Sequence, residues 1–150
     1  NSNGQQSQSE VQIDSVAPGL FTANATGRGV AAASILRIKA GGAQTYESVG
    51  VFDPTQNQFI AQPIDLGPAT DQVFLILFGG GIRFRSDAAN VKVKIGGVNA
   101  AVSFAGSQGG FVGLDQVNAQ VPRSLIGRGE VDVALTVDGK VANVVKVAIK

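Results

Sequence analysis

The sequence predicts an all-β fold, two sheets packed as a sandwich of roughly eight to ten strands. From Glu10 onward, apolar residues recur mostly at every second position, the period of strands that bury one face. Turn-forming residues, including 20 glycines, separate these runs at short intervals. The longest apolar run, Val73 to Phe78, is short for a helix and ends at Gly79-Gly80-Gly81, which would break one. So many half-buried strands need a second layer, because a single open sheet would leave its apolar face in water.

The elements follow in chain order. Asn1 to Ser9 carries no apolar side chain that could offset the entropy of ordering, so residues 1–9 read as a polar tail on a single domain spanning 10–150. Val11 and Ile13 alternate with Gln12 and Asp14 in an expected first strand. A helix competes over the alanine-rich stretch Val30 to Ile38, where Leu36 and Ile38 alternate with Arg37 and Lys39, and a strand is preferred. Tyr46 to Phe52 and Gln58 to Ile60 flank the turn residues Asp53-Pro54, and Pro63 and Pro68 bracket a loop. Val73 to Phe78 is apolar on both faces and is expected to be a central strand buried on two sides.

Val91 to Ile95 alternates cleanly, Gly96-Gly97 turns the chain, and Ala100 to Phe104 resumes extended structure as a hairpin. In the run Phe111 to Val121, the expected core positions are Phe111, Val117, Ala119 and Val121, and Pro122 closes the strand because it cannot donate to a ladder. Val131, Val133, Leu135 and Val137 share one face, Asp138-Gly139 supplies a two-residue turn, and Val145, Val147 and Ile149 line the return strand.

Composition narrows the function classes. Cys, His, Met and Trp are all missing, which removes disulfides, the commonest general base and the commonest zinc ligand. Twelve basic against 11 acidic residues leave a net charge of +1, no footprint for nucleic acid or an anionic membrane surface. No stretch approaches the roughly 18 to 20 apolar residues of a membrane span, so membrane insertion is not expected. The chain opens on polar Asn1 and not on Met, which reads as a mature product whose leader has been removed.

Each motif that could carry chemistry has a plainer explanation. Gly27-Arg28-Gly29-Val30-Ala31-Ala32 fits the form of a dinucleotide-binding turn, but no apolar strand precedes it and a strand is expected after it, so a loop is favoured. Gly79-Gly80-Gly81 with Arg83 and Arg85 could cradle an anion, and a bulge or tight bend is the commoner use. Without His, a Ser or Thr nucleophile would need Lys39 or Lys94, both expected in solvent. Asp65 with Asp71, or Asp132 with Asp138, lacks the dense oxygen spacing of a calcium loop. Asn24-Ala25-Thr26 matches a glycan acceptor and equally a turn. Tyr46 is the one Tyr and there is no Trp, which argues against an aromatic carbohydrate platform. A Lys–Asn isopeptide crosslink would need a buried lysine. No catalytic residue, cofactor or metal is expected.

Five segments carry a resemblance: SVAPGLFTANATGRGVAA (Ser15 to Ala32), PIDLGPATDQVFLILFGGGIR (Pro63 to Arg83), IGGVNAAVSFAG (Ile95 to Gly106), GLDQVNAQVPRSL (Gly113 to Leu125) and GRGEVDVALTVDGKVAN (Gly127 to Asn143). Together they resemble an uncharacterised domain found at the C-termini of large secreted proteins of Solibacter-type Acidobacteria. The second half is also similar to the IPT/TIG family. The resemblance implies an extracellular bacterial sandwich of immunoglobulin-like type and carries over no catalytic residue.

Two functional expectations follow. In the first, the protein is a self-assembling extracellular structural subunit. A terminal strand completes a neighbour's sheet edge, with Val11, Ile13, Val16, Leu20 and Phe21 as the assembly residues. Its partners are other copies of itself, and head-to-tail donation gives filaments because it does not close. In the second, it is a monomeric adhesive module that binds a surface polysaccharide or protein through loops at one end.

Overall fold

The structure is a computed structural model that describes residues 8–150. Most of the polar segment 1–9 therefore lies outside the described residues. In chain order the strands are β1 (Gly19–Leu20), β2 (Ala33–Ile38), β3 (Gln44–Ser48), β4 (Gly50–Asp53), β5 (Gln58–Ala61), β6 (Pro63–Ile64) and β7 (Gln72–Gly80). There follow β8 (Val91–Ile95), β9 (Val98–Ala100), β10 (Val102–Ser107), β11 (Asp115–Gln120), β12 (Gly129–Val137), β13 (Lys140–Val141) and β14 (Val145–Ile149). One sheet has the order β10-β11-β7-β2-β3, with β1 on the end of β7. The other runs β6-β14-β12-β8-β9, with β13 on β12, and β4 and β5 form a separate hairpin. The chain is an all-β two-sheet sandwich, as the period of two predicts.

Among the described residues fourteen strands replace the expected eight to ten, because extended runs break where they bend. The clearest break falls at Ala101. Ala100 still pairs with Val93 on β8, whereas Val102 pairs with Ala119 on β11, so one extended run is shared between the two sheets. The expected hairpin from Val91 exists only as β8 and β9. At the C-terminal hairpin, Asp138 and Gly139 take φ of 48° and 80°, the left-handed pair that a two-residue turn requires. The return strand pairs with β12 twice, as β13 and then as β14.

Both sheets turn their apolar residues inward to one core. Ile35, Leu75, Leu77 and Val117 from one sheet meet Val93, Leu135, Val147 and Ile149 from the other, all effectively sealed from water. Each such side chain stabilises the fold by about 1.5–3 kcal/mol.

Three expectations change. β7 is central, between β11 and β2, and buried fully on one face; on the other Ile76 is buried while Phe74 and Phe78 beside it are half-buried. On β2 the core face is Ile35 and Arg37, while Leu36 and Ile38 are half-buried. Phe111 is 72% exposed in the loop before β11, so the strand and its core positions begin later, with Val117, Ala119 and Val121 buried as expected.

Candidate functional site

Residues 8–18 belong to no strand, so the first strand expected around Val11 and Ile13 does not form within the chain. Val11 is 80% and Ile13 90% exposed, although their alternation with Glu10, Gln12 and Asp14 is that of a half-buried strand. The carboxylate of Asp14 pairs with Lys140 on β13.

The arm is rooted two residues later. Val16 is 4% exposed, Ala17 N–H donates to the Gly81 carbonyl at 3.1 Å, and Leu20, 3% exposed, pairs with Gly79. Asn143 clamps this root: its Oδ1 accepts from Leu20 N–H at 2.8 Å, and its Nδ2 donates to the carbonyls of Leu20 and Gly27 at 2.9 and 2.8 Å. Of the five sequence-predicted assembly residues, Val11 and Ile13 are free. Val16 and Leu20 fill their own core, and Phe21 is about half exposed.

Opposite in character is the edge of the second sheet. Because β9 leaves after Ala100, it covers β8 only along Val93–Ile95, and Val91 and Lys92 pair with β12 alone. Beside them opens a cleft of about 590 Å³ whose lining includes Ala88, Ala89, Val91, Lys92, Lys94 and Val102. A smaller hollow of about 180 Å³ adjoins it on the β10 side, shares Ala88 and Val102, and includes Arg85 and Phe104. The Arg85 Nε is buried without a hydrogen-bond partner among the described residues.

The remaining candidate groups are occupied structurally. Arg83 Nε donates to Asp115 Oδ1 at 2.6 Å and its Nη2 to the Leu114 carbonyl at 2.8 Å, while Asp115 Oδ2 accepts from Ile82 N–H at 2.7 Å. That ties the loop after β7 to β11 and commits Arg83. The glycines before it admit a crossing chain: a Cβ on Gly79 would collide with the Gly19 carbonyl and one on Gly81 with the Ala17 carbonyl.

Arg37, buried beneath the first sheet, donates to Glu47 (2.6 and 3.1 Å), the Asp65 carbonyl (2.6 Å) and Asp71 (3.5 Å). The hydrogen bond to Glu47 is the main reason its pKa is raised. Asp65 caps Gly67 N–H at 2.8 Å, and Asp138 accepts from Ser86 N–H and Oγ at 2.8 and 2.7 Å. Asp132 lies 3.7 Å from the Lys146 ammonium. Among the described residues no three acidic side chains converge as a metal site.

Gly27 to Ala32 runs through a loop into β2, and Asn24 Oδ1 accepts from Thr26 N–H and Oγ1, a turn. Lys39 and Lys94 are exposed, and no lysine is buried as an isopeptide crosslink would require. Tyr46 is exposed on β3.

Two features of the molecule carry no local sequence signal. Arg37 occupies the position after Ile35 in the inward-facing series, and only its acidic partners, 10 and 34 residues away, explain its burial. The cleft arises from the sheet switch at Ala101, which no local pattern marks. No family model matches the chain, and neither curated proteins nor solved structures offer a significant match.

Proposed function

We propose that this protein is an extracellular bacterial structural subunit that assembles with copies of itself, the arm of one copy adding as a strand to the sheet of the next. The observation that carries this reading is the exposed alternation of Val11 and Ile13 on a segment outside any strand whose root is fixed in the core. An exposed apolar alternation gains both side-chain burial and main-chain pairing once a sheet edge is offered. Burying the two side chains is worth about 3–6 kcal/mol. Association costs on the order of 4–15 kcal/mol. Main-chain hydrogen bonds must therefore contribute, and assembly depends on concentration. The resemblance to secreted acidobacterial proteins supports an extracellular setting for this assembly.

Light scattering and electron microscopy of the intact chain, against a chain lacking residues 1–14, test the reading. It expects filaments from the first and monomers from the second. An intact chain that stays monomeric at high concentration contradicts it, and glycan or protein binding by that monomer would instead support an adhesive module.

A further inference from the structure

We infer that the cleft between β8 and β10 is the acceptor for the arm, residues 8–15, of a second copy, with Val11 and Ile13 turned into the cleft and the arm's carboxylates facing its cations. This rests on the strand-exchange reading above and adds the partner surface and its chemistry. The two patterns match. β8 alternates buried Val91 and Val93 with exposed Lys92 and Lys94; the arm alternates apolar Val11 and Ile13 with Glu10, Gln12 and Asp14. Laid beside Val91 and Lys92, the stretch of β8 that β9 leaves uncovered, an arm strand sets an apolar residue against Val91 on the inner side and an acid against Lys92 on the outer side, the pairing that stabilises neighbouring strands.

The charges also match. Every charged residue lining the cleft and the adjoining hollow is basic, namely Lys92, Lys94 and Arg85, whereas the charged residues of segment 8–15 are Glu10 and Asp14, the latter exchanging Lys140 of its own chain for the cleft's cations on assembly. Arg85 brings a buried Nε that lacks a partner among the described residues, a donor that an incoming carboxylate or main-chain carbonyl satisfies. Size is compatible too: five extended residues from Glu10 to Asp14 span about 17 Å, and a volume of about 590 Å³ accommodates the two branched side chains. The acceptor and the arm are different surfaces, so each copy gives one strand and receives one, and the contact propagates without closing.

The absence of cysteine makes a crosslinking test clean. Full-length Ile13→Cys chains are mixed with full-length Ala89→Cys chains and oxidised, and in parallel with Gln44→Cys chains, which place the thiol on the outer strand β3 of the other sheet. The inference expects a two-chain product joining 13 to 89 and little joining 13 to 44. Lys92→Glu should weaken assembly by about two- to fivefold, and Glu10→Lys in the same chain should restore it. Polymers whose crosslinks favour 13 to 44 would overturn the acceptor assignment and leave strand exchange standing. Absence of polymers from the intact unmodified chain would overturn both.

Discussion

Two segments of this chain share one pattern and have opposite fates. Glu10-Val11-Gln12-Ile13-Asp14 and the strand β14, Val145-Lys146-Val147-Ala148-Ile149, both set branched apolar residues at alternate positions. In β14 those residues are sealed: β12 pairs along the strand, β6 pairs with Ala148 and Ile149, and Val145, Val147 and Ile149 pack into the core against the facing sheet. The arm pairs with no strand of its own chain, and Ile13 is 90% exposed where Ile149 is 1% exposed. Alternation thus specifies a strand that wants a partner and leaves open which chain provides it. The alternation of the arm is what points to a second copy.

The same substitution in both segments should separate them most. Ile149→Ser removes a sealed side chain and buries a hydroxyl, and should cost about 3–5 kcal/mol in urea unfolding. Val16→Ser, at the arm's root, should cost about 2–3 kcal/mol by the same measurement; a loss as small as that at Ile13 would mean the arm extends further into the chain than Val16. Gly81→Ala presses a methyl onto the Ala17 carbonyl at a φ of 72°, and should cost about 1–3 kcal/mol. Hydrogen exchange should show the loss centred on residues 17–20. Ile13→Ser should change unfolding by less than about 0.5 kcal/mol while abolishing polymer growth in light scattering.

The smallest effects are those of pH. Lys146, on the outer face of β14, has its pKa raised, chiefly by the hydrogen bond it donates to Glu130. Its contribution is complete below the ordinary lysine value of 10.5 and is lost as pH rises through the folded value. Asp138 at the hairpin turn has its pKa lowered, first by the Ser86 hydroxyl. That contribution is present above the ordinary value of 3.8 and fades as pH falls through the folded one. Unfolding midpoints of Lys146→Gln and Asp138→Asn against pH should converge on the parent at the alkaline and acid ends respectively.

How far the fold was legible depends on whether the signal was local. β12, the Asp138-Gly139 turn and β8 were readable because alternation and left-handed turn residues lie within a few positions of each other. The faces of β2 were not, since Arg37 is drawn inward by Glu47 and Asp71 across strands and loops. Phe111 misleads because an aromatic side chain in a loop is indistinguishable in sequence from one entering a strand. For the candidate site, the alternation of Val11 and Ile13 was legible as a strand, though not that it stays unpaired within the chain, and Val16 and Leu20 were included because nothing local separates root from arm. The cleft was invisible, because it exists only where β9 parts from β8.

Hydrogen exchange at the amides of residues 10–14, measured in dilute monomer and in the assembled state, tests the central claim most directly. Strand donation expects rapid exchange in the monomer and strong protection in the polymer, as the arm's main chain pairs with its neighbour. Assembled particles in which Val11 and Ile13 amides still exchange as freely as in the monomer would contradict it.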